Sequence, residues 1–311
     1  MTHPTPNELV LVSIVVLTYN SGAMLQETLD SLTQQSYPSL EVIICDDGSA
    51  DDTQTLVSAW IARHEHLFRR VVFLQSNINE GICRNLAKGY AAARGIWMKP
   101  IAGDDILMPG AISKYVAAAD GSTHAAIFSK VVTFSNKRSR SADEKYLLPR
   151  LTEALFIREP PHILLKKLLI SNFLPAPGAI LRRATYEAVG GVDLSFKHLD
   201  DWPLWINVLK RGATIGMIDD TLVSYRIDSS LTTQRKMATE INRDYLLDLI
   251  HFYEKYQKKH LSALHRLDRS IWIFRWRLAV HPLKYSLLLY KLTRVLHIVS
   301  PLIWLNFYRS K

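Results

Sequence analysis

Apolar and polar positions fall in regular blocks along the first hundred residues. Leu9 to Leu17 (LVLVSIVVL) is a near-continuous apolar run rich in Val. It predicts a strand buried on both faces, as in a parallel sheet. Thr18-Tyr19-Asn20-Ser21-Gly22 ends the run with turn residues, and Leu25, Leu29 and Leu32 then recur on one helical face. Glu41 to Cys45 predicts a second strand, ending at Asp46-Asp47-Gly48-Ser49. Asp52 to His64 predicts a helix, Val71 to Leu74 a third strand, Glu80 to Ala93 a helix, and Ile96 to Ile101 a fourth strand. Strand and helix alternating at this spacing imply right-handed crossovers and an α/β fold with a mostly parallel sheet.

The stretch Trp97 to Gly110 (WMKPIAGDDILMPG) adds candidate chemistry. A strand-like run ends in a Gly turn bearing two adjacent carboxylates, Asp104 and Asp105. Like charges side by side repel, so a folded site that keeps both ionised usually holds a cation nearby. A hard divalent ion takes such oxygen ligands and, when it is magnesium, shares them with substrate phosphates. The alternative is that Asp104 caps the following helix. In parallel sheets ligands bind beyond the carboxyl ends of the strands. Thr18-Tyr19-Asn20, Asp46-Asp47 and Asp104-Asp105 all follow strand ends, so they are expected to converge on one crevice. No G-x-G-x-x-G follows the first strand, which argues against a dinucleotide dehydrogenase, and there is no P-loop pattern.

Further on, a helix is expected from Gly110 to Asp120 and a strand from Ala125 to Thr133, then a polar loop from Ser135 to Lys145. Residues 146–177 carry five prolines and resist assignment, apart from a short helix from His162 to Ile170. Ala179 to Arg182 predicts a short strand, Arg183 to Val189 a helix stopped by Gly190-Gly191. His198-Leu199-Asp200-Asp201-Trp202-Pro203 leads into a helix ending near Arg211-Gly212. Thr214 to Ile218 and Leu222 to Tyr225 predict two short strands, and the pattern is helical from Gln234 onward.

Composition places the chain among globular proteins, with 48% hydrophobic and 22% charged residues over 311. Cys45 and Cys83 offer neither a disulfide framework nor a metal spacing. Met1 to Glu8 has no apolar signal core, so a cytoplasmic location is expected. The net charge of +9 is concentrated at the end: residues 266–311 carry a net of +8.

The words VSIVVLTYNSG, LEVIICDDGSADDT, NEGICRNLAKGYAAARG, WMKPIAGDDILMPGAI, GGVDLSFKHLDDWPLWINVLKRG and VSYRIDSSLTT, in that order over residues 9–233, resemble the inverting glycosyltransferases of family 2, in particular bacterial O-antigen and capsular polysaccharide enzymes. The resemblance implies a GT-A fold, a Rossmann-like nucleotide-diphospho-sugar transferase domain over residues 1–233, with a basic amphipathic helical region over 234–311. It implies transfer of a sugar from a UDP- or dTDP-sugar to a hydroxyl of a lipid-linked saccharide acceptor, with Mg2+ or Mn2+ as cofactor.

Site residues follow from the same resemblance. Asp47 matches the carboxylate that meets the imide of uracil or thymine; otherwise it is a turn Asp before Gly. Thr18, Tyr19 and Asn20 would line the nucleotide, and Arg84 would face it or its diphosphate unless it is a plain surface charge. Asp104 and Asp105 match the end of the family's D-x-D or D-x-D-D word. One would hold the metal and the other the ribose or sugar; with Ala102 at the first Asp of the commoner word, which does which stays open. Asp201 matches the general base, with a helix cap as the alternative and Asp200 able to cap beside it. Asp228 stands where the family often has a metal-binding His.

In the tail, Trp272, Trp276, Tyr285, Tyr290, Trp304 and Tyr308 alternate with Arg275, Arg277, Lys284, Lys291 and Arg294. Its longest uncharged run, Val295 to Tyr308, falls short of the roughly 20 residues needed to span a bilayer. Peripheral binding at the cytoplasmic face of the inner membrane is therefore expected, with nucleic acid the weaker partner for this charge. Helices packed back onto the catalytic domain are the alternative. The rival functions are a nucleotidyltransferase that makes nucleotide sugars, or a non-catalytic membrane- or nucleic-acid-binding relative. The first would want a Gly-rich basic loop after strand one; the second would lack Asp104, Asp105 and Asp201.

Overall fold

In the computed structural model, residues 9–135, 146–227 and 243–280 are described. The chain divides into two compact units, residues 1–234 and 235–311. The first contains nine strands among the described residues: β1 (Val12–Thr18), β2 (Leu40–Asp46), β3 (Arg70–Gln75), β4 (Trp97–Ala102), β5 (Ile106–Leu107), β6 (Ala126–Phe134), β7 (Leu147–Leu148), β8 (Ala179–Arg182) and β9 (Ile215–Arg226). Its helices are α1 (Gly22–Thr33), α2 (Thr53–His64), α3 (Ile82–Ala92), α4 (Ala111–Ala119), α5 (Leu151–Ile157), α6 (Pro161–Leu168), α7 (Arg183–Ala188) and α8 (Asp201–Lys210).

The strands form one sheet in the order β3-β2-β1-β4-β8-β6-β9-β5, with β7 beside β6. The long ladders, β1 with β2 and β4, β2 with β3, and β6 with β9, are parallel. The antiparallel pairings of β4 with β8, β5 with β9, and β6 with β7 and β8 span two or three residues each. Strand order reverses between β1 and β4, which opens a crevice at their carboxyl ends.

Both faces of β1 are covered. Val12, Ile14 and Val16 join Leu25, Leu29 and Leu32 of α1, Trp60 of α2 and Tyr115 of α4 in one core. Val15 points the other way, under α3, where Gly89 lets the helix settle: a Cβ there would stand 2.4 Å from Val15 Cγ1. Full burial of each such aliphatic side chain contributes roughly 1.5–3 kcal/mol.

Three expectations change. The segments 214–218 and 222–225 form one strand, β9, because β6 holds it across Asp219-Asp220 through a register shift at Ser129 and Lys130. The Pro-rich stretch contains β7 and α5 besides the expected helix, and β5 is a further short strand. Asp104 is not a helix cap: β5 intervenes, and α4 starts after Gly110, whose left-handed φ of 68° supplies the entry turn. The expected loop 135–145 falls, apart from Ser135, outside the described residues.

The second unit contains α9 (Arg243–Phe252), a π-helical turn (Tyr253–Gln257) and α10 (Ala263–Val280). Tyr253, Leu261 and Ile273 form its small core. Among the described residues no helix is long and apolar enough to cross a membrane. Residues 281–311, with most of the aromatic and basic tail, lie outside the described residues.

At the amino end of β2 the fold depends on a fully buried carboxylate. Glu41 accepts from the Ser13 hydroxyl at 2.6 Å and from the Arg94 and Gly95 N–H groups at 2.6 and 3.0 Å. It also pairs with Arg70 at 2.8 Å. Glu41→Ala strands all these donors and should cost about 3 kcal/mol of stability. Urea denaturation should show a lower midpoint at unchanged m-value, while nucleotide affinity of the folded protein stays at the wild-type level. A loss below about 1 kcal/mol would contradict this account of the amino end of β2.

Candidate active site

The crevice at the reversal of strand order is built by three turns hydrogen-bonded to one another. The Gly103 N–H donates to the Leu17 carbonyl at 2.8 Å, and the Asp47 N–H donates to the Thr18 carbonyl at 3.0 Å. The expected convergence of the ends of β1, β2 and β4 is thus present. Thr18 is buried, and its hydroxyl donates to Asp46 Oδ2 at 3.0 Å. Tyr19 is 48% exposed, and Asn20 adopts a left-handed φ of 48°, which Asn tolerates. The Asn20 N–H donates to the Ser49 hydroxyl at 2.8 Å, and its side-chain carbonyl accepts from the Ala50 N–H at 2.9 Å.

The two carboxylates of the second turn do different work. Asp46 is fully buried and accepts from Thr18, from the Ser49 N–H at 3.0 Å, from the Ser49 hydroxyl, and from the Gln54 amide at 2.8 Å. It locks the turn. Asp47 reaches across to the start of α3, where its two oxygens accept the Glu80 and Gly81 N–H groups at 3.0 and 2.8 Å. Each carboxylate oxygen keeps a further lone pair. Gly81, with a φ of 94°, also lies against Lys197, whose carbonyl accepts from the Cys83 N–H at 3.1 Å. Arg84 is exposed in the first turn of α3.

The third turn carries the acidic pair. Asp104 is half-buried and Asp105 is 1% exposed. Asp105 Oδ1 accepts the backbone N–H of Arg226 at 2.9 Å. The Arg226 guanidinium, itself buried, donates to the Asp104 carbonyl at 2.8 Å and pairs with Glu27 of α1 at 2.8 Å. Burial first, and then the Asp104 charge, hold Asp105 well above the usual carboxylate range. The Arg226 N–H, Lys99 and the guanidinium act in the opposite direction. Lys99 is fully buried in the middle of β4, and its ammonium donates to the Pro177 and Pro100 carbonyls at 2.6 and 2.8 Å. Burial pushes it down to about 7, against the pull of Asp105.

Asp201 opens α8. Its Oδ1 accepts the Trp202 N–H at 2.6 Å and its Oδ2 accepts the Asn172 amide at 2.9 Å. Asp200 occupies the N-cap position without a side-chain capping bond, so the alternative in which its carboxylate caps the helix is not found. The helix is anchored instead through Trp202, whose indole donates to the Leu168 carbonyl at 2.7 Å. Burial raises both carboxylates of the pair. Lys99 and Asn172 escaped the motif reading. A cation inside an apolar strand was the available signal for Lys99; Asn172 lies in the Pro-rich stretch that carried none. Asp228 lies outside the described residues.

Among the described residues no three His, Cys, Asp or Glu side chains form a closed metal cage. Two carboxylates at the crevice, Asp104 and Asp105, still fit a divalent ion that takes its remaining ligands from substrate phosphates and water.

Comparison with known proteins supplies the family. Residues 13–190 match the model of Glycosyl transferase family 2. The Escherichia coli UDP-Glc:alpha-D-GlcNAc-diphosphoundecaprenol beta-1,3-glucosyltransferase WfaP is 24% identical over 254 residues, covering 77% of this chain and 86% of WfaP. Residues 1–349 of S. aureus TarS, solved with UDP-GlcNAc, superpose with a TM-score of 0.59 at 17% identity, over 89% of this chain and 76% of that one. The Pyrobaculum calidifontis mannosyltransferase PcManGT, solved with GDP-Man and Mn2+, gives 0.57 at 18% identity, over 99% and 84%. The fold is of the GT-A type, and the nucleotidyltransferase alternative falls away. With its crevice at the β1–β4 reversal and a matched segment that spans the three turns building it, two of them acidic, the chain belongs to glycosyl transferase family 2.

Proposed function

We propose that the chain is an inverting, metal-dependent glycosyltransferase. It moves a sugar from a UDP- or dTDP-sugar to a hydroxyl of a lipid-linked saccharide, at the cytoplasmic face of the membrane, in polysaccharide synthesis. The observation that carries the reading is that both acidic pairs are tied to strand β4. Asp104 and Asp105 follow its end, and Lys99 within it holds the Pro177 carbonyl of the segment whose Asn172 grips Asp201. The UDP-GlcNAc complex of TarS, and the UDP-Glc donor and diphosphoundecaprenol-linked acceptor in WfaP's name, support the choice of donor and acceptor.

Thr18, Tyr19, Asn20 and Asp47 line the nucleotide, with the open lone pairs of Asp47 facing the base imide and Arg84 at the α3 start facing the diphosphate. Asp104 is the more accessible candidate ligand, with Asp105 behind it. A divalent ion bound there neutralises charge on the departing diphosphate. Asp201 takes the proton from the acceptor hydroxyl as its oxygen attacks the anomeric carbon. The bond to the diphosphate oxygen breaks with its electron pair, so one displacement inverts the centre.

In the second unit, Leu264, Leu267 and Phe274 are exposed on α10 at spacings of three and seven residues, on one helical stripe, with Arg266 and Arg277 also exposed. Together with the basic tail, this stripe suits an anionic bilayer surface.

Each part has a test. A panel of nucleotide sugars, screened for hydrolysis and thermal stabilisation, should single out a UDP- or dTDP-sugar. Asp201→Asn should lower turnover by at least about 100-fold while UDP affinity stays near wild type; turnover within a few-fold of wild type would remove the base assignment. Chelation should abolish activity, magnesium or manganese should restore it, and Asp104→Ala should weaken metal-dependent UDP binding by about tenfold or more. Full activity in excess chelator would overturn the metal role. For the membrane, the full chain should co-sediment with anionic vesicles and be only partly released by high salt. Replacing Leu264, Leu267 and Phe274 with Ser should weaken vesicle binding without changing UDP affinity. Unchanged vesicle binding would exclude this face.

A further inference from the structure

The side chain of Asn172 is fixed from both ends. Its carbonyl oxygen accepts the Leu174 N–H at 3.4 Å, which turns its amide nitrogen toward Asp201 Oδ2 at 2.9 Å. The segment that carries it is anchored by the Lys99 ammonium on the Pro177 carbonyl. On the far side, the Trp202 N–H fixes Asp201 Oδ1. Two donors on two oxygens leave the carboxylate plane no freedom to turn. Asp200 receives no such pair of donors. Tyr90 of α3 faces it, packed edge-on at 4.8 Å against Tyr186 of α7.

We propose that Asn172 is the positioning residue of the base, selecting Asp201 and not Asp200 as the carboxylate that takes the acceptor's proton. The proposal rests on the reading of Asp201 as base and says what makes it so. Two adjacent buried carboxylates share a coupled titration. Burial raises both, and the charge of Asp201 drives Asp200 further, to about 7. On Asp201 the Asn172 amide and the Trp202 N–H oppose the rise. A donor to a carboxylate favours its ionised form. Of the two, Asp201 is the one whose ionised form its donors favour, and it is already aimed. Removal of the Asn172 donor takes away both the aim and the preference.

The test uses the full chain labelled with 13C at the Asp carboxyl carbons. Asp200→Asn and Asp201→Asn identify the two resonances. Asn172→Asp keeps the oxygen that accepts from Leu174 and nearly the same volume but loses the donor; Asn172→Ala loses both. In the wild type the Asp201 resonance should titrate below that of Asp200. In both Asn172 variants it should move upward by about one pH unit or more. The acidic limb of kcat for hydrolysis of the screened nucleotide sugar should move with it, at unchanged donor KM. An Asp201 titration that stays in place in both variants overturns the proposal. If Asp201→Asn keeps wild-type turnover, the base reading itself fails. If Asp201→Asn is inactive and the Asn172 variants leave the titration unmoved, only the positioning role fails.

Discussion

The crevice depends on the closure made by Asp105 and Arg226. The end of β9 is more than a hundred residues from the turn after β4, yet the Arg226 N–H sits on Asp105 and its guanidinium on the Asp104 carbonyl and Glu27. One buried side chain thus joins a turn, a strand end and the helix α1. A buried guanidinium is costly unless paired and hydrogen-bonded. Here the partners of its Nε and Nη2 lie on separate elements and are met only when those are assembled, while Nη1 is buried without a hydrogen bond. The carboxylates at 104 and 105 are consequently presented by a rigid frame and not by a loose loop, as a site that orients a diphosphate requires.

The two halves of the sheet divide the labour. The parallel strands β1 to β4 supply turns whose backbone bonds hold the nucleotide side. The second half, where short antiparallel pairings insert β8 between β4 and β6, brings residues 172–201 back toward β4. Contacts from Gly81 to Lys197 and from Lys99 to Pro177 stitch the halves together. A shift of β4 relative to β8 would therefore move the Asp104-Asp105 turn and the Asn172–Asp201 contact together.

Much of the first half was legible because its strands are buried on both faces and its helices on one, so hydrophobic spacing reports burial directly. Leu25, Leu29 and Leu32 are examples. The second half resisted for physical reasons. β9 crosses Asp219-Asp220, residues that read as a turn; a bulge against β6 carries the strand through them. β5 and β7 are two residues long, below any period, and they exist through pairing with distant partners. The acidic words fall at strand and helix ends, as read from the sequence, but which oxygen meets which donor is set by tertiary contacts. Asp46 and Asp47 are chemically alike in sequence, and one locks its own turn while the other clamps α3.

The pairs Asp104-Asp105 and Asp200-Asp201 are both raised by burial, and they differ in the neighbours that oppose it. Asp104 and Asp105 lie near two buried basic side chains, Lys99 and Arg226, which act against the rise that burial and the Asp104 charge impose on Asp105. That bears on the proposed metal role, because protonation competes with metal for the same oxygens. The surroundings of Asp200 and Asp201 are instead buried and supplied with neutral donors, the Asn172 amide and a backbone N–H. A cation there would stabilise the anion and weaken it as a proton acceptor. Burial does the reverse, bringing proton affinity nearer to the working pH, where a general base is most effective. Neutral donors can orient the carboxylate at less cost to that affinity than a cation would exact. On the proposed roles, the carboxylates that bind charge have basic neighbours, and the one that receives a proton has neutral donors.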